Sequence, residues 1–319
     1  MSASGDLAHA TQPGDDHRGI YSVSFENDIV TGADNNYTNG VRFSYISPEG
    51  DVPDWLDNSS RLVPFFPAKG HKRWTISAGQ SIYTPDNILT LTPSPTDQPY
   101  AGWLYATAGV TSDTGRTLDT FELTLGMVGP ASGAEHTQKF IHDAMGADHP
   151  HGWHEQLKNE PGIILAYDHK WRGLYRSSAD GWGADLTPSA GFQLGNIFTE
   201  ANVSLIARFG HDLPEDYGPP LIRPSVSGST FFIPTDDFGW YLFAGVEGHA
   251  VARNIFLDGN SFRDSPSVDK EIFVGGVQGG IAVTYRDTRI SYTHVLRSKE
   301  FETQTSDNQY GAFTVSVGF

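Results

Sequence analysis

Twelve stretches of this chain alternate apolar with small or polar residues at period two, and that pattern limits what the chain can fold into more than any motif does. At the C-terminus Phe313, Val315, Val317 and Phe319 share one face, with Ala312, Thr314, Ser316 and Gly318 on the other. Between Thr120 and Met127 the apolar face is Phe121, Leu123, Leu125 and Met127. Comparable alternation runs through 21–25, 41–45, 74–83, 101–110, 163–171, 184–194, 203–209, 240–247, 273–285 and 289–295. An even number of segments about ten residues long suits a closed bacterial barrel, because closure satisfies every backbone group in lipid. The expected fold is therefore all-β: a transmembrane antiparallel β-barrel of twelve strands over residues 20–319. Trp74, Trp103, Tyr105, Trp171 and Trp240 would form its interfacial girdles. A soluble all-β protein with core aromatics is the competing reading.

Composition agrees with strands. Charged residues make up 18% and aromatics 12%, with 35 glycines, so helix formers are scarce. A net charge of -17 without any Lys/Arg cluster argues against a nucleic-acid partner. Cysteine is absent, which excludes a disulfide framework, a thiolate nucleophile and Cys-ligated zinc. No apolar run reaches the roughly 18 residues of a transmembrane helix, a test to which barrels are blind. The opening MSASGDLAHATQPGDDHRG has no basic-then-apolar leader, so the expectation is a mature chain behind an added Met1, with 1–19 disordered.

If the first strand runs outward, three polar constellations fall on the first three outward connections. The first is SFENDIVTGADNNYTNGVRFSY, in which alternation points Asp28 and Thr38 into the lumen and leaves Asn27 out of phase, so that the strand must bulge or end there for Asn27 to face a site. Asp34, Asn35 and Asn36 are explained by turn chemistry. The second is GQSIYTPDNILTLTPSPTDQPYAGWLY, between Gln80 and Tyr83 on one strand and Gly102 on the next. The third, VGPASGAEHTQKFIHDAMGADHPHGWHEQL, carries the clearest helical pattern. Gln138 and His142 are four apart and share a helix face, and Gly146 and Asp148 mark the helix end. Two longer stretches, 48–72 and 213–237, fit loop packing or membrane-surface docking.

Five histidines lie between His136 and His154, yet their spacing matches no H-E-x-x-H or other paired zinc pattern. Asp28 and Asp148 with loop carbonyls would suit a hard, oxygen-preferring ion, Ca2+. Such an ion could polarise an ester carbonyl while a neutral His takes a proton from water. No G-x-S-x-G elbow supports a serine nucleophile.

END with YTNG, GQSIYTP with DQPYAGWLY, and VGP through FIHDAMGADHPHGW occur in one order, and with them the chain resembles the outer-membrane lipid A 3'-O-deacylase family. The resemblance covers roughly the first half and extends more weakly, through the GNIF turn near Gly195, towards the C-terminus. It implies a twelve-stranded barrel in the outer membrane with its site towards the outer leaflet. The implied activity is calcium-dependent hydrolysis of the 3'-linked acyloxyacyl ester of lipid A in lipopolysaccharide. By the same resemblance His142 is the general base, Asp28 and Asp148 hold Ca2+, Asn27 and Thr38 complete the polar site, and Gln138 supports it. The chain departs from relatives in three places. Asp148 stands where Glu can occur, no Lys lies between Thr84 and Pro95, and Gln98 replaces the Arg of DRPYAGW, removing a bidentate donor. The expected partners are lipopolysaccharide and outer-membrane lipids, with no protein partner. The competing functions are a calcium-dependent outer-membrane phospholipase and a non-enzymatic porin-like barrel.

Overall fold

The computed structural model describes residues 18–28, 36–61, 63, 66–67, 69–214, 216–218, 231–233 and 235–319. The expected disordered segment 1–19 falls outside these apart from residues 18 and 19, as do Asp34 and Asn35, while Asn36 opens a strand. The strands are β1 (Ile20–Asn27), β2 (Asn36–Ile46), β3 (His71–Thr84), β4 (Ala101–Asp113), β5 (Thr117–Val128), β6 (Glu160–Trp171), β7 (Tyr175–Ala179), β8 (Trp182–Gly195), β9 (Phe198–His211), β10 (Thr235–Asn254), β11 (Phe273–Arg286), β12 (Thr288–Arg297) and β13 (Asn308–Gly318). Every pairing is antiparallel between neighbours, and β1 closes on β13.

Twelve strands make the wall, as the alternation implies, and β7 is a thirteenth that the sequence pattern misses. β6 pairs with the C-terminal half of β8 and β7 with its N-terminal half, so β7 continues β6 after an interruption at 172–174. All five β7 residues are exposed on both faces and carry no apolar alternation.

The wall is apolar outside and hydroxyl-lined inside. Tyr21, Val23 and Phe25 of β1 are exposed while Ser22, Ser24 and Glu26 are buried, and the same division holds on β5 and β13. Inside, hydroxyls bridge neighbouring strands: Ser22 to Ser316 at 2.8 Å, Ser24 with Thr314 at 3.0 Å and Thr107 with Thr124 at 2.8 Å. These hydroxyls off the lipid face thus find partners within the protein. Trp171 is exposed and Trp74 and Trp240 half-buried, as a girdle requires. Trp103 and Tyr105 correct the girdle expectation. On β4 it is Leu104 that faces out, and both rings turn into the lumen.

Both ends of the lumen are filled by chain from the far wall. At the end bearing residue 28, the short helix α1 of the β10–β11 connection (Ile255–Asp258) lays Phe256 flat on Tyr83, with ring centroids 3.9 Å apart. At the other end the β9–β10 connection sends Tyr217, Phe231 and Phe232 across to Ile20, Ile46 and Leu118. Tyr217 donates its hydroxyl to Asp113 at 2.5 Å. Asp216 accepts from Arg208 and, at 3.1 Å, from Arg289, while Arg208 forks onto Asp185 at 2.8 and 2.5 Å. The described part of 213–237 is therefore a lumen plug rather than a surface loop. The 48–72 connection carries a helix, α2 (Asp54–Ser60), tied down by Lys72 on Asp57 at 2.5 Å.

Candidate functional site

The three polar constellations all lie at the end of the barrel that bears residue 28, and the register shows which side of the wall they occupy. Phe25, Val41, Gln80 and Leu104 sit directly opposite one another across β1 to β4, on the face that exposes Phe25 and Leu104. Two residues further along, the same face carries Asn27, Asn39, Ile82 and Gly102. The site is therefore built on the outer, lipid-side phase of the wall, and it is the phase of Asn27 that leads to it. Asn27 is out of phase with the lumen, as expected, and what the register corrects is the expectation that the site faces the lumen. β1 ends at Asn27, and Asp28 follows in a bend whose amide donates to the Thr38 carbonyl at 3.3 Å. The bulge falls instead at Thr38, the extra residue between Tyr37 and Asn39 against β3. It brings the Thr38 hydroxyl to that of Thr84 at 2.6 Å, two residues beyond Ile82 on the outward phase.

The wall row is roofed by helix α3 (Ala134–Met145), which packs on β3 and β4. Gly102 makes that seat: a Cβ there would lie 2.1 Å from Ser132 Oγ and 2.2 Å from the Ala134 Cβ. Gln80, also outward, donates to the Ser132 carbonyl at 2.7 Å and pins the turn before the helix. The GQS and PYAG motifs thus serve as the seat of α3. Gly102→Ala is expected to lift the helix at a cost of about 1–3 kcal/mol. Limited trypsin digestion should then cut after Lys139, with the barrel itself still resistant.

On α3, Ala134, Gln138 and His142 form the buried face at successive four-residue steps, and both Gln138 and His142 are only 1% exposed. Gly146, in the left-handed conformation at φ 68°, ends the helix and turns the chain back. The Asp148 carbonyl consequently reaches His142 Nδ1 at 2.5 Å. A carbonyl only accepts, so Nδ1 carries a proton, and in the neutral ring the lone pair is then on Nε2. The Gln138 carbonyl accepts from the Trp153 indole at 2.8 Å. Trp153 is buried against Tyr100, which in turn donates to the Ile88 carbonyl at 3.2 Å.

The structure thus assembles two halves. Asn27, Asp28 and Thr38 meet at the β1–β2 end, all buried, with Asp28 1% exposed, and Gln138 and His142 share the underside of the helix. The Asp148 side chain is exposed, and its backbone oxygen is what meets His142. Sequence reasoning missed this carbonyl, Trp153 and Thr84, although the tryptophan stood in the HPHGW motif.

Among the described residues no three His, Cys, Asp or Glu side chains converge on a metal position. The groups at the β1–β2 end are a carboxylate, a carboxamide and a hydroxyl, so their chemistry fits an oxygen-preferring ion such as Ca2+ and not zinc.

The family model described as "Outer membrane protein LpxR" matches residues 1–319. LpxR from Salmonella typhimurium is similar in structure, with a TM-score of 0.76 and 18% identity over 94% of this chain and 100% of that one. The β domain of the Bordetella autotransporter BrkA is similar at a TM-score of 0.46 and 8% identity, over 95% and 100%. No curated protein matches the chain in sequence. Matched over its whole length by that family model, and sharing its twelve-stranded wall with the Salmonella protein, the chain belongs to the LpxR family of bacterial outer-membrane proteins.

Proposed function

We propose that the chain is a calcium-dependent lipid A deacylase that hydrolyses the 3'-linked acyloxyacyl ester at the outer leaflet. One observation carries this reading: a buried histidine, its proton fixed on Nδ1, is roofed onto the lipid-side phase of the wall rather than into the lumen. A lipid ester can reach such a site from the membrane plane.

The chemistry follows from the residues present. With Nδ1–H held by the Asp148 carbonyl, Nε2 removes a proton from water as the oxygen attacks the ester carbon. The carbonyl π pair moves onto oxygen. As the tetrahedral intermediate collapses, the sugar oxygen leaves and takes the proton back from His142, releasing the fatty acid and a free hydroxyl. Asn27 and Thr38, buried at the strand ends, orient the ester. Asp28 and Asp148 would hold a calcium ion, which when bound supplies a Lewis acid for the carbonyl oxygen.

A conducting pore is disfavoured by the plugs at both lumen ends. The test is fatty-acid release by purified protein in detergent, with lipopolysaccharide or phospholipid as substrate and with calcium or excess chelator. Release from lipopolysaccharide that stops in chelator and returns with calcium is the expected result. Release from phospholipid alone would transfer the same chemistry to a phospholipase, and activity indifferent to chelator would remove the metal from the account.

A further inference from the structure

The HPHGW segment carries a tryptophan that the reaction as written does not use. Its indole N–H is a donor only, and it points at the Gln138 carbonyl oxygen, 2.8 Å away, with both side chains 1% exposed. That bond decides which way the carboxamide faces, because a flipped amide would set its NH2 against the indole N–H. The Gln138 Nε2 is left buried, with no hydrogen-bond partner among the described residues. Other buried side-chain polar atoms among the described residues share this state, Trp103 Nε1 on the lumen side among them. The Gln138 Nε2 lies on the same helix face as the proposed base, one turn before it.

We propose that Trp153 is a positioning residue that locks the Gln138 carboxamide with Nε2 presented to the developing oxyanion of the scissile ester. This rests on the reading of the site as an ester hydrolase. The donor is fixed before the substrate arrives, on a side chain only 1% exposed, and a preorganised donor of this kind needs no reorganisation as the oxyanion forms. The support behind the tryptophan is equally fixed. Tyr100 packs on Trp153 with ring centroids 4.9 Å apart, and a Cβ at Gly152 would lie 2.5 Å from the Tyr100 ring. The Tyr100 and Gly152 positions of the PYAG and HPHGW motifs thereby gain a role that needs no contact with the substrate.

Four proteins test this: wild type, Trp153→Phe, Gln138→Glu and the double variant, each assayed in detergent on lipopolysaccharide with calcium. Gln138→Glu keeps an oxygen for the indole and loses the donor. Its kcat is expected to fall about 10²–10³-fold, the effect of removing one oxyanion donor, with KM little changed. Trp153→Phe keeps an aromatic ring against Tyr100 but loses the N–H together with part of the indole's volume, so kcat should fall about tenfold or more, again at nearly constant KM. The double variant should be no slower than Gln138→Glu, because the tryptophan acts through the amide. A packing role would instead give multiplicative losses in the double variant.

A readout without turnover is the indole 15N–1H resonance of Trp153, assigned by its absence from Trp153→Phe. It should exchange slowly with solvent and shift in Gln138→Ala. Unchanged kcat in Gln138→Glu, or in Trp153→Phe, overturns the proposal, as does an indole signal indifferent to Gln138. A wild type inactive on every ester, with the indole bond intact, would overturn the reading of function and the oxyanion role with it, leaving only the Trp153–Gln138 contact.

Discussion

His142→Ala is expected to lose about 10²–10⁴-fold in deacylation, the range general-base catalysis supplies, while the barrel folds and inserts normally. The side chain is buried under α3 and makes one short bond, to the Asp148 carbonyl, so its loss to stability should be limited to about 1 kcal/mol. His142→Asn separates catalysis from packing, since its amide can donate towards that carbonyl but cannot take a proton from water. Both variants should migrate as folded barrels in unheated gels and turn over about 10²–10⁴-fold more slowly than wild type. A His142→Asn protein with more than a few per cent of wild-type kcat would remove the base from the mechanism.

The largest expected effect on stability lies at the opposite end of the barrel. Arg208 is buried between Asp185 and Asp216, forking onto the first and donating to the second, with all three side chains at most 2% exposed. Truncating one member of a buried ion network leaves uncompensated charge, at a cost of about 3–5 kcal/mol. Arg208→Ala should therefore lower the urea midpoint in detergent far more than any change on the outer wall. It should also loosen the segment carrying Tyr217, Phe231 and Phe232, which closes the lumen. Planar-bilayer recording should then show conductance in Arg208→Ala and none in wild type. Current through the wild type would contradict a lumen closed by these residues.

The strands were legible because a membrane barrel marks both faces of its wall: Phe313 and Val317 meet lipid while Thr314 and Ser316 bond across the interior. β7 escaped because its five residues are exposed on both faces and no burial imprints a period on them. Trp103 and Tyr105 were misplaced because an aromatic near a strand end serves equally in a girdle or in a plug, and only the register with Leu104 decides. The plugs were illegible for a different reason. Phe256 on Tyr83 and Tyr217 on Asp113 are contacts between walls on opposite sides of the barrel, which no local pattern records.

At the site, helical spacing was enough to pair Gln138 with His142. The partner of His142 is a backbone oxygen, invisible to residue chemistry, and it arrives through the left-handed turn at Gly146. Alternation also put Thr38 on the lumen side. The bulge at that residue turns its hydroxyl to Thr84, and one extra residue in a strand is enough to exchange the faces.

The most direct test of the central claim is mass spectrometry of lipid A from a bacterial host expressing the chain, compared with the host carrying His142→Ala at equal outer-membrane abundance. The account predicts that wild type removes the mass of one acyloxyacyl group and that the variant leaves the spectrum of the parent host. An unchanged spectrum with a folded, inserted wild-type barrel, under conditions in which calcium is present, would contradict it.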